Sequence, residues 1–157
     1  MKLRQGFVSN SSSSSFICDV CGETVEGRDL CLDEAEMYRC VNEHTFCESE
    51  ALGEVEENSE DEDGWDGDNY NIPEKNCPIC NFVEASNSDI GKYFEKIYGI
   101  TRESVFEEVK KINKRRKKLR DYEYVEYVCR TKEINMQDLL VDLKSRFKDY
   151  ASFLESF

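Results

Sequence analysis

Apolar positions change their rhythm near the middle of the chain. From Ser88 onward they recur every three or four residues, the period of helices that bury one face. Ser88 reads as the cap of a short helix carrying Ile90, Phe94 and Ile97, with Gly99 closing it. Thr101 reads as the cap of a second helix, with Ser104 beyond it and Val105, Val109, Ile112 and Leu119 as its buried stripe. Tyr122, Val125 and Cys129 continue the helical spacing, although Tyr122–Val128 also fits a strand, and periodicity does not separate the two. Asn135, with Asp138 three residues on, caps the clearest helix. Met136, Leu139, Leu140, Leu143, Phe147, Tyr150 and Leu154 form its single apolar stripe, fit for core packing or for a partner's groove. The expectation is a domain of three or four helices over residues 88–157, with Cys129 packed inside it as a small hydrophobe.

Before Ser86–Asp89 that rhythm is missing. Residues 1–17 form a serine-rich leader, too polar to bury surface and either flexible or strand-like. Residues 18–85 hold short apolar pieces broken by cysteine, glycine and acid. Hydrophobic residues make up 39% of the chain, below the usual ~45–50%, so the core is modest and the first half needs another source of stability.

Cysteine spacing supplies one. Cys18, Cys21, Cys31, Cys40, His44, Cys47, Cys77 and Cys80 are enough donors for two tetrahedral zinc sites. Cys18-x2-Cys21-Gly22 has the form of a zinc knuckle, the glycine letting the backbone turn under the sulfurs. Cys77-Pro-Ile-Cys80 is the same device stiffened by proline. Cys40-x3-His44-x2-Cys47 lies between them. Zn2+, one ion or two, is therefore the expected cofactor, in a structural role, because cysteine-rich coordination leaves no open position for water. One zinc-ribbon pairing joins Cys18, Cys21, Cys40 and His44, leaving Cys77 and Cys80 to take Cys47 and Cys31.

Residues 1–17 contain Lys2 and Arg4 but no apolar signal-peptide core, and no stretch approaches the ~18 apolar residues of a membrane span. The expected location is thus the cytoplasm, where thiols stay reduced and disulfides are rare.

Charge divides the chain at the same boundary. The net charge is −13, made of −16 over residues 1–87 and +3 over residues 88–157. Residues 54–68 are an acidic loop without a base, irregular for a calcium loop, and read as a solvated insertion. Against this, Lys110, Lys111, Lys114, Arg115, Arg116, Lys117, Lys118 and Arg120 put eight cations into eleven residues, expected on the second helix. Such a run is solvated or paired internally, or it meets nucleic-acid phosphates or an acidic protein.

Two resemblances add to this reading. Phe7-Val-Ser-Asn10 followed by five serines and Phe16 is similar to a leader at the start of many otherwise unrelated bacteriophage and bacterial proteins, which implies a phage origin and the cytoplasm of a bacterial host, or the virion. The order Cys18-x2-Cys21-x18-Cys40-x3-His44-x2-Cys47, then Cys77-x2-Cys80, resembles the RING family in its ligand spacing over residues 16–82. That resemblance implies a ubiquitin-ligase-type module with cross-braced zinc, and an intact site of Cys40, His44, Cys77 and Cys80. Glu50 stands where the pattern would have its next ligand, and an acidic tract where the family places a helix.

No glycine-rich phosphate loop and no nucleophile beside a base is visible. The expected fold is a small α+β protein: a zinc-stabilised, ribbon- or knuckle-like module over residues 18–85, followed by the helical domain. The expected function is non-enzymatic, an interaction or regulatory protein that binds a host or viral protein and no membrane. The first alternative is a transcription-related nucleic-acid binder acting through Lys110–Arg120, and the second is the RING-like ligase.

Overall fold

The computed structural model describes residues 13–55 and 71–157, a small α+β fold with two short antiparallel sheets and five α-helices among those residues. The first half runs β1 (Ser13–Ile17), β2 (Thr24–Arg28), β3 (Met37–Arg39) and β4 (Thr45–Cys47). β1 pairs with β2 in a register that sets Phe16 opposite Val25 and Ile17 opposite Thr24. The strand end of the leader is thus Ser13–Ile17, while residues 1–12 and 56–70 lie outside the described residues, and the latter take in all but the first two residues of the acidic loop 54–68. β3 pairs with β4, setting Tyr38 opposite Phe46, and a parallel bridge joins Cys40 to Ile72.

The helical half runs α1 (Asn87–Tyr98), α2 (Arg102–Ile112), α3 (Asp121–Lys132), α4 (Met136–Arg146) and α5 (Tyr150–Leu154). Thr101 and Asn135 cap their helices as the sequence predicts, each accepting main-chain N–H groups of the first turn. Gly99 ends α1 in the left-handed conformation.

Three expectations need correction, and the open choice between helix and strand at Tyr122–Val128 is settled. Ser86, not Ser88, caps α1, because its hydroxyl accepts from Asp89 N–H. Tyr122–Val128 is helical: Glu123 accepts from Arg120 N–H at 2.9 Å, which starts α3 before any strand can form. α2 stops at Ile112, so the basic run continues as an irregular connection rather than a helix, and Ile112 is 91% exposed instead of buried. The run of like charges has no acid within it to offset repulsion along a helix. The last helix is two helices, because Asp149 leaves helical geometry and caps α5 through Ser152 N–H at 2.8 Å.

That break folds α5 back onto the chain. Phe153, absent from the single-stripe reading, is wholly buried among Phe82, Tyr93, Phe147, Tyr150 and Phe157, while Leu154 is 38% exposed. Tyr124, Ile90, Phe94 and Val128 fill the space between α1 and α3, and Cys129 is buried beside Met136. One apolar cluster extends from these residues to Met37, Phe46, Ile72 and Ile79 of the first half.

Candidate metal centres

Two knuckles of matching geometry stand at opposite ends of the first half. In one, Cys21 N–H donates to Cys18 Sγ at 3.4 Å and Gly22 N–H to the Cys18 carbonyl at 3.0 Å. In the other, Cys80 N–H donates to Cys77 Sγ at 3.4 Å and Asn81 N–H to the Cys77 carbonyl at 3.2 Å. These bonds turn both sulfurs of a pair to the same side and place positive dipoles against them. Gly22 has a positive φ of 80°, and a Cβ there would overlap the Tyr122 ring, so two constraints demand glycine. Asn76 holds the second knuckle, donating through Nδ2 to the Leu52 carbonyl at 2.7 Å.

The β3–β4 hairpin supplies the other ligands, and its geometry decides the pairing. Cys40 follows β3 and His44 precedes β4, and both face the second knuckle. Cys47 ends β4 on the other side, and the 3-10 turn Glu48–Glu50 brings Glu50 to the first knuckle. The result is two four-residue sets, Cys40, His44, Cys77, Cys80 and Cys18, Cys21, Cys47, Glu50, each with its donor atoms within 4.8 Å of one another. First and third ligand pairs share one set, second and fourth the other.

The spacings fit a tetrahedral ion bound through sulfur. With zinc–sulfur bonds of ~2.3 Å, sulfur–sulfur edges are about 3.8 Å, and an imidazole nitrogen at ~2.0 Å gives sulfur–nitrogen edges of about 3.5 Å. Cys40 and Cys80 sulfurs are 3.8 Å apart, and Cys21 and Cys47 sulfurs 3.6 Å. His44 Nδ1 lies 3.4, 3.6 and 3.3 Å from the sulfurs of Cys40, Cys77 and Cys80. Cys18 Sγ is 3.0 Å from Glu50 Oε2, the distance of a hydrogen bond from the thiol and shorter than the sulfur–oxygen edge of about 3.5 Å that a zinc ion would set. All eight cysteines are free thiols.

Electrostatics point the same way. Burial, and then the hydrogen bond to Glu50, push the Cys18 thiol up to about 12. Burial first, and neighbouring cysteines after it, also raise Cys47 and Cys77. Burial raises Cys80 too, against the Asn42 amide, which donates to its sulfur at 3.2 Å. Clustered, buried thiols resist ionisation by themselves, and a bound dication reverses that preference.

The ribbon pairing of Cys18 and Cys21 with Cys40 and His44 is therefore overturned, since the hairpin directs Cys40 and His44 toward Cys77 and Cys80. Cys31 joins neither set: it lies after β2, half-buried, its N–H donating to Glu34 Oε2 at 3.2 Å. Glu50 takes the position expected of an eighth cysteine or histidine. Its signal was Cys47-x2-Glu50, the knuckle spacing with a carboxylate in second place.

The basic run is partly neutralised. Arg116 pairs with Glu123, Lys111 with Glu108, and Arg120 with Glu26 and the Thr24 hydroxyl. Lys110 lies over the Phe106 ring. Lys114, Arg115, Lys117 and Lys118 are exposed, with no ion pair among the described residues.

These interleaved ligand sets define a candidate binuclear metal-binding protein with a helical half packed onto it. No protein-family model, curated protein or solved structure matches the chain. Among the described residues no helix is long and apolar enough to cross a membrane.

Proposed function

We propose that the chain is a non-enzymatic, zinc-braced interaction protein, phage-encoded, that grips a host or viral protein. The observation that carries this reading is the closure of both ligand sets by four protein donors each. Closed, sulfur-rich tetrahedra suit zinc and suit a structural role, because no position is left for a substrate or an activated water. Zinc then supplies the stability that a first half of short strands lacks, and the braced module presents its surface rigidly to a partner.

A pull-down of the full chain from bacterial lysate, with and without nuclease, tests the reading. One stoichiometric protein should survive nuclease and be lost when Cys77→Ser strips the second set. Capture that is indifferent to Cys77→Ser, or that vanishes with nuclease, contradicts it.

Exposure of Lys114, Arg115, Lys117 and Lys118 favours a second reading, binding of nucleic-acid phosphates. Lys117→Glu with Lys118→Glu should then abolish oligonucleotide binding. The interleaved pairing is also what the RING resemblance implies, and discharge of a ubiquitin-loaded conjugating enzyme by the full chain is the assay for that activity.

A further inference from the structure

The two ligand sets are built unequally. Cys40, His44, Cys77 and Cys80 combine three thiolates with an imidazole, and Cys40 and Cys77 are wholly buried. Asn42 braces Cys80, and the His44 ring meets the edge of buried Tyr150 at 6.2 Å. In the other set Cys21 is exposed, Glu50 is half-buried, and the fourth donor is a carboxylate. A carboxylate is a harder ligand than thiolate or imidazole and suits a borderline-soft ion such as zinc less well than they do. Glu50 also sits on a single 3-10 turn, held by Ala51 N–H donating to the Glu48 carbonyl at 3.1 Å, with no side-chain cap.

The weaker set lies where the helices dock. Asn87 at the start of α1 donates through its N–H to the Asp19 carbonyl at 2.7 Å and through Nδ2 to the Val20 carbonyl at 2.9 Å. Asp19 and Val20 are the two residues between Cys18 and Cys21. Tyr122 of α3 packs on Gly22, immediately after Cys21. Arg120, ahead of α3, reaches Thr24 and Glu26 on β2. The turn that presents two metal ligands is thus the turn on which α1 and α3 rest.

We infer that Cys18, Cys21, Cys47 and Glu50 form an exchangeable zinc site whose occupancy controls the docking of α3 on the first knuckle, while the Cys40, His44, Cys77, Cys80 site keeps its ion. This rests on zinc filling both sets. Loss of the exchangeable ion frees the Cys18–Cys21 turn, loosens Tyr122 from Gly22, and unlocks the connection that carries the basic run. The protein then responds to the availability of free zinc without unfolding.

The full-length, zinc-loaded chain is challenged with a chromogenic chelator, and release is followed in time alongside hydrogen exchange. Two equal phases are expected, the first on the order of tenfold faster or more, the scale on which single weakened contacts act at metal sites. Amide protection across Tyr122–Val125 should fall with the first phase, and protection at Phe82 only with the second. Re-adding zinc should restore the first, and Glu50→Cys, which completes a four-cysteine set, should abolish the fast phase. A single phase for both ions, or protection at Tyr122–Val125 unchanged by the first, overturns the inference and leaves the two-zinc reading standing. A chain that retains no zinc at all overturns both.

Discussion

The two halves of this molecule solve the same problem with different materials. Residues 87–157 bury aromatic and aliphatic side chains: Tyr124, Phe94, Phe153, Ile90, Leu143 and Val128 lose all contact with water, and the side chains of Ser86, Thr101, Asn135 and Asp149 cap four of the helices. Among the described residues of the first half, 13–55 and 71–85, the strands are three to five residues long and the large buried side chains are few, Phe46, Met37, Ile72 and Ile79 foremost. Their turns converge instead on two clusters of sulfur, imidazole and carboxylate. The difference is that the segment with the thin core gathers side chains that could hold metal, and borrows apolar surface from its neighbour. Phe82, two residues after Cys80, stacks on Phe153 at 5.9 Å and meets Tyr150 edge-on at 5.3 Å.

The strongest way to break this comparison is to remove metal. Structural zinc contributes on the order of 10 kcal/mol or more of apparent folding energy in small metal-bound modules. Strong chelation should therefore abolish amide protection over Met37–Cys47 and Cys77–Phe82 while helical circular dichroism is partly retained. Unchanged protection in both segments would place the stability of the first half elsewhere.

A core truncation should act in the other direction. Phe153→Ala removes the ring at the centre of the aromatic cluster and should cost about 3–5 kcal/mol of unfolding free energy, read by denaturant titration. The zinc content of the folded variant should stay at the wild-type level. Loss of zinc in the folded fraction would mean that the helical half, not the ligands, sets the site.

Gly22→Ala touches both halves at once. It puts a side chain at a φ of 80° and against the Tyr122 ring, and should cost about 1–3 kcal/mol. Its effect should exceed that of Gly53→Ala, where φ is also positive but a Cβ meets open space. Equal losses in thermal melts would show that Tyr122 does not rest on the knuckle. The smallest change is Thr101→Ala, which removes a cap on exposed α2 and should cost ~1 kcal/mol without altering zinc affinity.

Much of this was legible in the sequence, and the reasons differ by region. Thr101, Asn135 and Gly99 announced helix ends because capping is local chemistry. Seven of the eight donors now in the two sets announced themselves through cysteine and histidine spacing. Their pairing stayed open between the ribbon and the cross-brace that the RING resemblance implies, because it depends on the β3–β4 hairpin turning Cys40 and His44 one way and Cys47 the other. Glu50 stood at knuckle spacing from Cys47, where the RING pattern would have a ligand, but its residue type kept it out of the expected donor set. The break at Phe147–Asp149 was hidden because Tyr150 and Leu154 still fall on the helical period of α4, and only burial of Phe153 tells which face counts. The end of α2 was missed because like charges do not disturb a hydrophobic period that Leu119 happens to continue.

The central claim is that the sets are interleaved and that Glu50, not Cys31, completes the first. Counting zinc ions per folded chain by native mass spectrometry tests it in three proteins. The account predicts two ions in the wild type, two in Cys31→Ser and one in Glu50→Ala. Loss of an ion from Cys31→Ser, with both kept by Glu50→Ala, would contradict it.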